Sequence, residues 1–176
     1  MHNLFRRLAI TILLAALAAS AWALTVSIAP AEDRAFAPPP DGQGSPMGDL
    51  VSGCLNALFD AGYIVTDAGV SWTAEADWGS SSYGLQGARE GRVNCIIALY
   101  VRWEKSTFHK GALLATSIRY RLIRTSDEKI LAEGSVAGPP DSESRAAHEA
   151  HSASEAGSAV VGRCLKALSA LSSGGE

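Results

Sequence analysis

"RVNCIIALYVRWEKS", residues 92–106, is the stretch on which the fold turns. Val93, Cys95, Ile97, Leu99, Val101 and Trp103 recur at every second position, so an extended chain puts them on one face. Ile96, Ala98 and Tyr100 make the opposite face partly apolar too. A strand apolar on both faces belongs inside a sheet, and the rest of the chain must be arranged around it.

Downstream, "LLATSIRYRLIRT" at 113–125 alternates. Leu114, Thr116, Ile118, Tyr120 and Leu122 point one way, and Ser117, Arg119 and Arg121 the other. "SDEK" at 126–129 is polar turn material and "KILAEGSVAG" a return strand. The pair predicts a β-hairpin whose arginine-bearing face looks toward water or a partner. "GPPDSES" at 138–144 then ends the sheet, with Asp141 or Ser142 as N-cap of a last helix from about Glu143 to Leu171. Its second half carries Val160, Val161, Cys164, Leu165, Leu168 and Leu171 on one stripe. Held straight it would reach ~40 Å, so fraying or a bend near Ser154–Gly157 is expected.

Upstream, "LTVSIAP" at 24–30 reads as a first strand, followed by a Pro/Gly-rich loop at 30–46. From Met47 the period turns helical, through Leu50, Val51, Cys54, Leu55 and Leu58, with Gly62 at the helix C-terminus. "YIVTDAG" at 63–69 is a second strand, and 70–91 shows no clear period apart from a short helix near 81–90. The order is β-α-β-(α)-β-β-β-α. Two amphipathic helices need a common surface, which predicts an α/β (α+β) two-layer sandwich: a mixed sheet of about five strands under two main helices.

The N-terminus carries a basic start, "MHNLFRR", and an apolar run, "LAITILLAALAASAWA". Small residues at Ala21 and Ala23 form an A-x-A cleavage site, with a cut after Ala21 as the alternative. Residues 1–23 are thus expected to be a signal peptide, and 24–176 one αβ domain in the periplasm or secreted. The chain as a whole has a formal net charge of −3, and the leader holds two arginines and no acid. A mildly acidic domain gives no reason to expect nucleic acid as a partner, and nothing after residue 23 has the length of a membrane span.

The strand "TVSIAP", the helix end "LNALFDAG" leading into "YIVTDAG", the strand "VNCIIALYVRW" and the hairpin "IRYRLIRTSDEKILAEGSVAG" together carry a resemblance. The chain resembles the small periplasmic αβ domain shared by the curli-secretion protein CsgG, the N-terminal domain of TolB and the penicillin-binding-protein activator LpoB. The resemblance covers most of 24–171, as pattern rather than invariant motif. It implies an envelope binding or assembly module rather than a catalyst. The chain lacks those proteins' lipid-anchor cysteine, membrane-inserting hairpin and propeller, so channel formation, anchoring and TolB's partners do not carry over.

Four groups of residues have chemistry to offer. Arg119, Arg121 and Arg124, with Arg102, form a basic stripe that could grip a carboxylate or phosphate; the plainer reading is a wet sheet face with Glu133 or Glu104 as cross-strand partners. Trp72, Trp78 and Tyr83, among Gly and Ser, suit either ligand stacking or cover over a sheet end. In "HEAHSASE", His148, His151 and Glu155 share roughly one helical face. They are a weak metal set, without the H-E-x-x-H spacing or a fourth ligand, and a solvated polar face is the plainer reading. Cys54 and Cys164 lie in two near-copies of one word, "GCLNALFDAG" and "GRCLKALSAL", each on a buried stripe. They are either a disulfide across two packed helices or two inert thiols, and Cys95 is a third buried thiol.

"GSSSYG" at 79–84 is not a G-x-S-x-G elbow, His109 has no acid partner in the pattern, and no cofactor motif is present. The expectation is therefore an exported, non-enzymatic module whose partner is an envelope protein or other envelope component. A periplasmic metal-dependent hydrolase, or a secreted effector or inhibitor acting through loop 70–91, are the alternatives.

Overall fold

The computed structural model describes residues 24–33, 46–80, 82–110, 112–138, 140–144 and 148–173. The predicted signal peptide and most of the 30–46 loop lie outside them. The elements are β1 (Thr25–Asp33), α1 (Met47–Asp60), β2 (Ile64–Asp67), β3 (Ser71–Thr73), α2 (Glu75–Trp78), α3 (Leu85–Glu90), β4 (Cys95–Lys105), β5 (Leu113–Arg124), β6 (Ile130–Ala137) and α4 (Glu149–Ser173). The sheet is mixed, in the order β2-β1-β4-β5-β6, with the short β3 also pairing β1. β1 runs parallel to β2, β3 and β4, while β4–β5 and β5–β6 are antiparallel. The two-layer plan holds, with one strand and one short helix more than the sequence pattern predicts.

β1 runs to Asp33, three residues past the predicted start of the loop, because β3 extends its pairing: Ala31 faces Ser71 and Asp33 faces Thr73. Pro30 sits in the gap between the two neighbours. The carbonyls of Leu24 and Ile28 accept from Ile64 and Ala68, and that of Thr25 from Asn94, so even-numbered residues face the β2/β3 side. The N–H that proline lacks would therefore point into the gap, not at β4.

α1 and α4 pack on one face of the sheet, over Val26, Ile28, Cys95, Ile97, Leu99, Val101, Trp103, Ile118 and Leu122. Gly62 closes α1 with φ +87°. Its N–H reaches Phe59 O and that of Tyr63 reaches Leu58 O, a Schellman ending for which a residue without Cβ is suited. α4 is a helix over Glu149–Ser173, and Glu143 and Ser144, where the last helix was expected to start, are helical as well. The carboxylate of Asp141 accepts from Ser106 Oγ at 2.9 Å, Thr107 N at 2.7 Å and Thr107 Oγ1 at 2.9 Å, tying down the β4–β5 connection. The helix runs on through Ser154–Gly157, where fraying or a bend was expected. There α1 crosses closely: a Cβ on Gly157 would lie 2.1 Å from Leu50 O, and one on Gly53 2.0 Å from Ser154 O.

β5 departs from strict alternation. Arg102 pairs with Ser117 but Trp103 pairs with Ala115, so Thr116 is an extra residue, its hydroxyl donating to Arg102 O at 3.2 Å. This bulge reverses the phase of the strand's start. Leu113 and Ala115, rather than Leu114 and Thr116, join Ile118, Tyr120 and Leu122 in the helix-facing core.

The second face is partly covered as well. Trp78, with Tyr83 beside it, packs on Ala31, Ala98 and Tyr100. Leu85 and Ala88 of α3 pack with Val93, Ile96 and Ile123. The partly apolar second face of 92–106 exists to receive residues 74–90.

Candidate functional site

The predicted arginine stripe lies on this second face, where residues 74–90 leave off and β5 and β6 are open. Facing residues there are set by register: Tyr100 opposite Arg119, Ala98 opposite Arg121, and Arg121 opposite Glu133. A groove of about 690 Å³ is lined by Trp78 and Gly79 on one side and by Ser117, Arg119, Arg121, Glu133 and Ser135 along the strands.

The arginines divide by role. Arg121 is not on a wet face: it is 7% exposed. Its Nη1 donates to Gly79 O at 3.0 Å and its Nη2 to Ser80 O at 3.1 Å and to Trp78 O. Its guanidinium carbon stands 4.3 Å from the Trp78 ring centre. It thus gives a donor to the carbonyls at and just past the end of the four-residue α2, of which Ser80 O also accepts from Tyr83 N at 3.3 Å. Burial lowers its pKa from the ordinary arginine value; Glu133 acts to raise it and Arg119 to lower it further. Arg124 grips Asp127 bidentately, Nε–Oδ1 at 2.8 Å and Nη2–Oδ2 at 2.6 Å, and so fastens the β5–β6 turn.

Arg102 and Arg119 remain about half exposed, and both reach Glu75 at the start of α2. Arg102 Nη2 lies 3.2 Å from Glu75 Oε2, and Arg119 Nη1 donates to Oε1. Arg119 also stands 5.1 Å from the Trp78 ring centre. Their partner is therefore Glu75, not the Glu104 or Glu133 that strand pairing suggests. Sequence reading missed it because 44 residues separate Glu75 from Arg119 and no periodicity links them.

The aromatic residues of 70–91 serve mainly as cover. Trp78 is 2% exposed, a core residue bordering the groove rather than a free stacking platform. Tyr83 is half-buried, its hydroxyl bonded to Ser71 Oγ and donating to Pro30 O at 3.4 Å. Trp72 pairs through its backbone in β3, opposite Glu32, and its side chain lies outside the described part.

His148, His151 and Glu155 all face solvent. His151 Nε2 pairs with Glu155 Oε1 at 3.2 Å, one helical turn away. Among the described residues no group of three or more His, Cys, Asp or Glu is arranged to hold a metal ion.

Cys54, Cys95 and Cys164 are free and buried. Cys54 Sγ lies 3.3 Å from Gly157 O, across the helix crossing. Burial, with Cys164 nearby, pushes the Cys54 thiol up to about 12, and burial does the same to Cys164. Cys95 is raised to about 11, chiefly by burial. Such thiols are poor nucleophiles.

No protein-family model matches the chain, and no curated protein matches its sequence. Among solved structures it is similar to the PelC dodecamer from Paraburkholderia phytofirmans, at 18% identity and TM-score 0.46 over 78% of this chain and 84% of that one. A DUF330 protein from Xanthomonas campestris is similar at 18% identity and TM-score 0.49, over 86% and 89%. TolB from Acinetobacter baumannii, one of the proteins of the sequence resemblance, is similar at 10% identity and TM-score 0.47, over 85% of this chain and 30% of TolB.

Proposed function

We propose that the protein is an exported, non-enzymatic module that binds or helps assemble a component of the bacterial cell envelope, through the groove on the second face of its sheet. Export is read from the basic start, apolar run and A-x-A site of residues 1–23. No helix among the described residues is long and apolar enough to cross a membrane.

One observation carries the binding reading. The groove is of small-ligand size, stands on paired strands and is lined by charged and hydroxyl side chains, two of its neighbouring guanidiniums being half exposed. Its residues offer recognition rather than turnover: Arg121 is occupied with backbone carbonyls, and the three buried thiols lie elsewhere.

Site-directed photo-cross-linking tests this in envelope preparations. A photoreactive residue in place of exposed Ser135, on the groove, is expected to trap a defined partner. The same residue in place of exposed Lys166, on α4, is expected to trap none. Equal products from both positions, or none from either, would refute the proposal.

A further inference from the structure

Resting on that reading of the groove, we propose that Arg102 and Arg119 form a clamp for a carboxylate carried by the partner, and that Glu75 is a built-in occupant which the partner displaces. The two arginines project from neighbouring strands on the same side of the sheet. Each reaches a different oxygen of the one Glu75 carboxylate through a single Nη. A guanidinium carries five N–H donors in a planar fork matched to carboxylates. Two cations on one anion leave an excess positive charge beside the groove.

Glu75 is held in a way that permits exchange. It is the first residue of a four-residue helix whose N-cap, Ala74, makes no side-chain bond. The other end of that helix is pinned by buried Trp78 and by Arg121 on its carbonyls. α2 is therefore fast at one end and lightly held at the other. All three ionised side chains are about half exposed, and exposed ion pairs contribute little net stability, so trading one carboxylate for another costs little. When Glu75 leaves, the Trp78 ring still lies under Arg119 and keeps its guanidinium in place.

The test uses the full protein with glutarate as probe and neutral glutaramide as control, followed by NMR of the arginine Nε–H signals and by calorimetry. Glutarate should shift the Arg102 and Arg119 signals, and glutaramide should not. Glu75→Gln removes the competing charge and should tighten glutarate binding about two- to fivefold, the scale of one exposed charge interaction. Arg119→Ala and Arg102→Ala should each abolish it, while Arg163→Ala, on exposed α4 surface, should leave it unchanged. Far-UV circular dichroism confirms that each variant is folded. Binding unaffected by Glu75→Gln, or matched by glutaramide, overturns the clamp. A Ser135 cross-link that persists in Arg119→Ala also overturns it but leaves the binding module standing. Glutarate binding with no cross-linked partner supports the clamp and removes the module.

Discussion

Replacing Gly157 with alanine places a methyl where α1 and α4 cross. Its Cβ would sit 2.1 Å from Leu50 O and 3.0 Å from Cys54 N, both backbone atoms that cannot swing away. The helices must separate by about 1 Å, and a gap of that size forfeits a quarter to a half of each dispersion contact it opens. The contacts at risk join Leu50, Cys54 and Leu58 to Ala153, Val160 and Val161, all in the main core. Overpacking of this kind costs ~1–3 kcal/mol, and a backbone obstacle puts the cost at the upper end. Alanine recovers ~1 kcal/mol of helix propensity, which leaves a net loss of about 2 kcal/mol, or roughly 4–8 °C in Tm for a domain of this size. Gly162 in the same helix provides the control, since a Cβ there meets nothing within 4 Å. Gly162→Ala should stabilise by about 1 kcal/mol. Urea denaturation followed by circular dichroism measures both. If Gly157→Ala proves as stable as the parent, the close crossing is not what holds this interface.

Arg121→Ala should cost about 3 kcal/mol, because it leaves the carbonyls of Trp78, Gly79 and Ser80 without their shared donor. Residues 70–91 should then become the first site of limited proteolysis, and unchanged cleavage would contradict the capping role. Asp127 is held down to about 2, first by its hydrogen bond from Arg124. The stability it contributes is present above the unfolded carboxylate pKa of ~3.9 and is lost as pH falls toward 2. An NMR titration should place its midpoint there, and Arg124→Ala should return it to the ordinary range. Glu149 shifts the other way: burial raises its pKa despite the bond from Leu113 N at 3.1 Å. Protonation therefore favours the fold, and this gain is lost as pH rises through the folded pKa. Glu149→Gln keeps an acceptor for Leu113 and should raise stability at pH 7. Denatured without reductant, the protein should yield three thiols to Ellman's reagent; one would mean that Cys54 and Cys164 are bonded.

The strand Cys95–Lys105 was legible because its side chains obey period two on both faces, and burial on both sides is a local property of its composition; Val93, read as continuing the inner face, precedes the strand and packs with Ile96 on the other. The helix stripes were legible for the same reason, and Cys54 and Cys164 fall where they predict. Thr116 was not. A bulge inserts one residue without a change in composition, so alternation read along 113–125 carries across it in the wrong phase. Arg121 was misread because exposure was inferred from residue type. A guanidinium can be buried when donors meet acceptors, and its acceptors are backbone carbonyls, which have no sequence signature. The break expected near Ser154–Gly157 rested on helix length alone, and length carries no sign that a neighbouring helix crosses closely at Gly157.

The two faces of the sheet differ in how they are held, and that difference places the candidate function. On one, two helices of 14 and 25 residues meet at glycine contact and bury a continuous core. On the other, two helices of four and six residues cover β1, β4 and the Arg121–Ile123 end of β5, through two small clusters. Helices this short have no stability of their own, so they depend on anchors: Trp78 and Arg121 for α2, Leu85 and Ala88 for α3. A segment fixed at a few points can rearrange between them without unfolding the domain, because local opening involves only what is lightly packed. Glu75 lies in such an interval, above the two arginines left half exposed. Substitutions in the helix-facing core should therefore move stability and leave the groove's affinity unchanged, whereas Glu75→Gln should do the reverse.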